Sequence, residues 1–244
     1  MAFLALDAGN SSVKAAVWDG GWGEVVQWPS DDVPAERWAE RLASLGPADH
    51  AGLASVVPTL TPPLAAAVRT ASGADPVRVG PDRPLPFRLA YRTPHTLGAD
   101  RLAAAVAAWH LGHGRAVVVV DAGSAITTEA VSAEPAYLGG AILPGPDLLR
   151  RALARDTGQL PEIDWPDEAP AIGGTTAEAI QAGLATLVVG GVERLLDRTV
   201  AALGSDPLIL ATGGWAPWLA ARVPCIDRVE PHLVLDGVRL LSVR

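Results

Sequence analysis

Two short stretches of this chain carry residue types that can handle a phosphate. The first is Leu4-Ala5-Leu6-Asp7-Ala8-Gly9-Asn10-Ser11-Ser12-Val13-Lys14. The second, in the other half, is Val118-Val119-Val120-Asp121-Ala122-Gly123-Ser124-Ala125-Ile126-Thr127-Thr128. Each reads as an apolar strand ending in Asp-Ala-Gly, a small turn with hydroxyl side chains, and a second alternating strand. A glycine after the acid allows a tight turn and leaves no side chain in the way of a bulky anion. Hydroxyls and bared N–H groups there can donate to phosphate oxygens, and the aspartate can hold Mg²⁺ directly or through water. An ordinary turn explains one such stretch. Two of them, one per half, suggest a nucleotide clamp. Neither G-x-x-x-x-G-K-[ST] nor G-x-G-x-x-G occurs, which excludes a P-loop and the dinucleotide fingerprint.

A third constellation, Tyr91 to Arg101, could move a proton. Asp100 falls in the first turn of an alanine-rich helix, where the helix N-terminus favours its charged form. An ionised carboxylate in a cleft can accept the proton of a substrate hydroxyl. Arg101 beside it can fork onto a carboxylate or phosphate, and Gly98 permits close approach. A helix-capping aspartate with a surface arginine is the plainer alternative. The glycines of Tyr137–Gly145 suggest backbone packed on a ligand or another subunit, or simple turns. Thr175 and Glu178 satisfy a capping box. Thr212-Gly213-Gly214-Trp215 is a strand-end turn where an adenine or ribose could rest. The five histidines show no metal-ligand spacing.

Positioning these residues takes two similar sets of elements. The first half reads as strands at 2–7, 12–18 and 23–28, then a helix over 34–45 with Pro34 in its first turn. A strand ending at Ser55-Val56-Val57-Pro58 follows, then a helix over 60–72. The proline-rich passage 76–94 must be loop or edge, and 97–110 is helical. The second half repeats the opening with strands at 115–121, 125–132 and 136–142 and a helix over 146–156. A long helix over 175–203 carries Ile180, Leu184, Leu187 and Val188 at core spacing. Strands at 208–211 and 225–229 and a helix at 232–241 complete the pattern. Strand clusters followed by crossover helices, twice over, predict an α/β protein with two similar lobes, 1–113 and 114–244.

The bulk numbers agree with a water-soluble protein: 49% hydrophobic, 19% charged and only 5% aromatic residues. A net charge of −8, with Lys14 the only lysine, offers no basic field for nucleic acid. A single cysteine, Cys225, excludes an internal disulfide and fits a reducing compartment. Asp7 interrupts the first apolar run, and 179–192 is short and glycine-broken, so neither a leader nor a membrane span is expected. The expected location is the cytoplasm.

In order and spacing, these motifs resemble the type III pantothenate kinases of the acetate and sugar kinase/Hsc70/actin superfamily. The resemblance runs through Asp7–Ser11, Ser55–Pro58, Gly98–Arg101, Asp121–Thr127, Gly139–Gly145, Leu160-Pro161, Thr176–Ile180 and Thr212–Gly214. It implies two ribonuclease-H-like lobes (the actin-like ATPase fold) around a central cleft, a homodimer, and ATP-dependent phosphorylation of pantothenate at its primary hydroxyl. Mg²⁺ and a monovalent cation, K⁺ or NH₄⁺, are implied as well. By matching positions, Asp7, Ala8, Gly9, Asn10, Ser11, Ser12, Val13 and Lys14 would form the first phosphate loop, with Asp7 toward Mg²⁺. Asp100 would be the proton acceptor, and Tyr91, Gly98, Ala99, Asp100 and Arg101 would contact pantothenate. Asp121 would hold the monovalent cation, Ser124 would touch ATP, and Thr176 would reach substrate across the dimer. Two positions depart: the family usually has threonine at Ser124 and aspartate at Glu129. The same family includes transcriptional accessory factors, so a regulator is the competing reading, alongside a sugar kinase of the superfamily. A regulator would be expected to have lost Asp7, Asp100 or Asp121, and all three are present.

Overall fold

A computed structural model describes residues 1–31 and 37–243. The chain divides into two compact units. One comprises residues 1–114, 135–137 and 232–244, and the other 115–134 and 138–231. The final helix thus belongs with the first unit, not with a lobe running unbroken from 114 to 244.

In the first unit, β1 (Phe3–Ala8), β2 (Ser12–Trp18), β3 (Val26–Pro29), β4 (His50–Ser55) and β5 (Val77–Arg78) form one sheet in the order β3-β2-β1-β4-β5. β1 is antiparallel to β2 and parallel to β4, so it lies at the centre. Its residues Phe3 to Leu6 are all buried, as a strand covered on both faces requires. One face presents Leu4, Leu6 and Ala8 to Trp38 and Leu42 of α1 (Trp38–Ala43) and to Leu64 and Val68 of α2 (Thr61–Ser72). Toward the other face pack α7 (Leu233–Ser242) and α3 (Ala99–Gly112), where Gly237 leaves no room for a side chain against Ala103. α1 is shorter than the helix expected over 34–45, and Pro34 lies outside the described residues. Within the proline-rich passage, β5 and β6 (Arg88–Leu89) are two-residue edge pieces, as prolines dictate.

The second unit repeats the plan. β7 (Val117–Ala122) pairs antiparallel with β8 (Ala125–Ser132) and parallel with β11 (Leu208–Thr212), which pairs with β12 (Arg228–Val229). The strand expected over 136–142 is broken into β9 (Ala136–Gly139) and β10 (Ile142–Pro144), and β10 pairs with β8. The break has a local cause: Gly140 lies directly on the Thr128 backbone, and Thr128 exchanges hydrogen bonds with Ala141. α4 (Pro146–Asp156), α5 (Thr176–Leu203) and α6 (Ala216–Ala220) complete the unit.

α5 runs uninterrupted for 28 residues. Its buried stripe is Ile180, Leu184, Val188, Val192 and Leu196, an i, i+4 row facing the unit's core. Leu187, expected in that stripe, is instead 56% exposed. By length and composition α5 is apolar enough to cross a membrane, with mean hydropathy 1.4 over its most apolar 18 residues. About a third of that window is buried toward the core, and Leu187 lies among the rest.

Candidate active site

Register sets the first hairpin. Asp7 stands opposite Lys14 and Ala8 opposite Val13, leaving Gly9, Asn10, Ser11 and Ser12 as the connecting turn. Directly opposed residues share a face, so the carboxylate and the chain's one lysine project to the same side. The turn closes on itself through Gly9 N–H to Ser12 O at 3.0 Å. It is tied from outside by Ser30, whose hydroxyl donates to Gly9 O at 2.6 Å and whose N–H donates to Ser11 O at 3.2 Å. Ser30 is buried, and its partners lie far from it in the chain.

Beside this hairpin stands the Asp100 segment. Val56 N–H donates to Ala8 O at 3.0 Å, and Val56 also flanks Gly98, the N-cap of α3. A Cβ on Gly98 would strike Asp100 Oδ1, so glycine is what leaves space for the carboxylate. Asp100 Oδ1 accepts from the Arg101 N–H at 2.7 Å. The helix end is expected to pull the Asp100 pKa down, and the net shift runs the other way. Burial pushes the Asp100 pKa upward, against the weaker opposing pull of the Arg101 N–H and guanidinium. Arg101 is itself buried. Tyr91 packs edge-on against Tyr137, with ring centres 5.9 Å apart, and Tyr137 stacks on Phe87.

The second hairpin is one residue tighter. Asp121 pairs with Thr127 and Ala122 with Ile126, so only Gly123, Ser124 and Ala125 make the turn, closed by Gly123 N–H to Ala125 O at 3.0 Å. On one side Gly145 N–H donates to Ser124 O at 3.0 Å, with Gly145 in close contact with Gly123 and Ser124. On the other, Gly213 adopts φ +92°, and a Cβ there would lie 2.5 Å from both Ala122 O and Asp121 Oδ1. Trp215 N–H donates to Ala122 O at 2.9 Å. Of the glycines in Tyr137–Gly145 that could have faced a ligand or another subunit, Gly140 and Gly145 pack on backbone of their own unit, and Gly139 takes φ +100°. A carboxylate and a cluster of carbonyls are oxygen donors of the kind a hard cation takes, so Asp121 and its surroundings fit a K⁺-like ion. Among the described residues, no three His, Cys, Asp or Glu side chains gather to hold a metal.

Thr176 is exposed as the first residue of α5, behind a capping box in which Thr175 Oγ1 accepts from Glu178 N–H and Glu178 reaches Gly174 N–H. Glu129 is buried on β8 opposite Val119. Sequence reasoning missed Ser30, which ties the first hairpin, and Asp147, which accepts the indole N–H of Trp215 at 3.0 Å. Both meet partners distant in the chain, and nothing in their neighbours' periodicity marks them.

Duplicated sheets with an Asp-Ala-Gly hairpin in each define the actin-like ATPase class of α/β proteins. Solved structures agree on the fold. A ROK hexokinase from Thermus thermophilus matches with TM-score 0.54 at 17% identity, covering 99% of this chain and 98% of that one. A Campylobacter jejuni protein described as a Baf family transcriptional activator matches with TM-score 0.64 at 20% identity, covering 98% and 96%. The chain belongs to the type III pantothenate kinase family, whose family model matches residues 3–198. A type III pantothenate kinase of Anaeromyxobacter sp. (strain K) is 35% identical over 251 residues, 99% of this chain and 98% of the relative. The Moorella thermoacetica enzyme is 38% identical over 192 residues, 79% and 75% of the two chains.

Proposed function

We infer that this protein transfers the γ-phosphoryl group of ATP to the primary hydroxyl of pantothenate, the first step of coenzyme A biosynthesis. Near full-length similarity to type III pantothenate kinases carries the reading. Phosphoryl transfer needs positioning and charge neutralisation more than covalent chemistry, and the residues divide along those lines. Asp100 accepts the hydroxyl proton. Its burial supports that role, because raising a carboxylate's pKa makes it a stronger base. Arg101, Tyr91, Gly98 and Ala99 line the pantothenate side, with Thr176 contributed by a second copy. Residues Asp7 to Lys14 and Ser124 cradle the phosphates through N–H groups and hydroxyls, and Lys14 adds the hairpins' one ammonium charge. Asp7 would hold Mg²⁺ and Asp121 would hold K⁺ or NH₄⁺, cations whose positive charge would offset the charge of the phosphoryl group.

The assembly is a cytoplasmic homodimer. The exposed apolar face of α5, with Leu187, supports this. A coupled ADP-release assay tests the function. ADP should appear only with pantothenate present, and the rate should collapse when Na⁺ replaces K⁺ and NH₄⁺. Pantothenate-independent ADP release, or none, would overturn the reading.

A further inference from the structure

Trp215 follows directly on the Gly213-Gly214 turn, and its side chain reaches away from that turn to α4. Its indole Nε1–H donates to Asp147 Oδ2 at 3.0 Å. The other carboxylate oxygen of Asp147 accepts from Arg150 Nε at 2.9 Å, so the acceptor is itself fixed. Asp147 lies two residues after Gly145, the residue bonded to the Ser124 side of the second hairpin. Trp215 N–H is bonded to the Ala122 side. The hairpin is therefore bracketed by two segments, and one side-chain hydrogen bond between residues 68 positions apart joins them. The indole is held by edge-on contacts with Trp165, at 5.5 Å, and Trp218, at 6.2 Å.

We propose that the Trp215–Asp147 hydrogen bond is a latch that sets the Gly213-Gly214 turn for the nucleotide, making both side chains positioning residues for ATP. Gly213 sits in the left-handed region and presses on Ala122 and Asp121. A turn under that constraint keeps its place only if the segment beyond it is anchored. The backbone bond from Trp215 anchors one point and the indole bond to α4 the second. Releasing the second lets the turn swing away from the hairpin while the strands stay paired. This rests on the reading that the Thr212–Trp215 turn faces ATP.

The test uses the full-length protein and two ligands, ADP by calorimetry and ATP by steady-state kinetics. Trp215→Phe removes the N–H and keeps an aromatic ring against Trp165 and Trp218; Asp147→Ala removes the acceptor. Each should raise the ADP Kd and the ATP KM roughly five- to tenfold, the scale of one ordinary hydrogen bond lost, with pantothenate KM unchanged. The double variant should be no worse than Asp147→Ala alone, because that change already deletes the bond Trp215→Phe removes. Asp147→Asn retains a carbonyl acceptor and should recover most of the affinity. If the variants melt earlier but bind ADP as the parent does, the bond is merely structural and the latch is refuted. A parent protein that binds no ADP refutes the nucleotide turn as well, whereas a normal parent with unaffected variants refutes the latch alone.

Discussion

The two Asp-Ala-Gly hairpins share a topology and differ in how they are held. The first has a four-residue turn, tied by the serine that follows edge strand β3, with Lys14 opposite its aspartate. The second has a three-residue turn, pinned by backbone on both flanks, with Thr127 opposite its aspartate. Both hairpins carry an aspartate, but only the first sets an ammonium opposite it. Under the proposed function the longer turn with its lysine would hold phosphate, and the tighter turn, with Asp121 among carbonyls, would hold an exchangeable cation.

The proposed function puts proton transfer on Asp100 of the first unit, so the largest test of the difference between units lies there. Asp100→Asn should lower turnover by about 10²-fold or more while the protein stays folded, the usual scale of general-base loss. Near-parental rates in a folded variant would end the assignment. A raised pKa also fixes the sign of the pH profile. Asp100 acts as a base only when deprotonated, so activity is lost as pH falls through its pKa, and burial places that limb above the ordinary carboxylate range. Arg101→Gln removes a charge that lowers this pKa and should move the limb of kcat/KM further up in pH. A limb that moves down would contradict the electrostatics.

The charge difference between hairpins is sharpened by Thr127→Lys, which gives the second hairpin the lysine found in the first. Rates in K⁺ and Na⁺ should converge, from a difference of about tenfold or more toward parity, because a tethered ammonium at an opposed position offsets the local carboxylate. An unchanged cation requirement would place the ion elsewhere than Asp121. Gly213→Ala probes the pinning. A left-handed residue with a Cβ 2.5 Å from Ala122 O should lose about 1–3 kcal/mol of stability, read by chemical denaturation. The smallest change belongs to the first hairpin: Ser30→Ala deletes one buried hydrogen bond to Gly9 and should cost about 1 kcal/mol. If Ser30→Ala costs more than Gly213→Ala, the second hairpin is not the more tightly held.

Sequence periodicity located the sheets well because each central strand is a continuous apolar run between Asp-Gly turns. β2, β8 and α4 fall where alternation and capping residues put them. Elements decided by tertiary contact were less legible. The break between β9 and β10 follows from Gly140 lying on Thr128, and the exposure of Leu187 from which stripe of α5 meets the sheet. The charged state expected of Asp100 weighed only the helix end. Burial, which outweighs it, depends on neighbours such as Val56 that no local pattern brings near. Ser30 and Asp147 were silent for the same reason, since each meets its partner across a loop of the chain.

The placement of α7 has a consequence for the order in which the molecule is made. The ribosome finishes β1, β4 and α3 early, yet the helix that covers them comes from residues 233–242, after the whole second unit. Until then the first unit carries an open apolar face, with the site of Gly237 on Ala103 unfilled. The second unit, whose segments are complete by residue 231, can close first. The unit that holds Asp100 is thus the last to mature, and its fold is completed only once synthesis has passed every residue of the second unit.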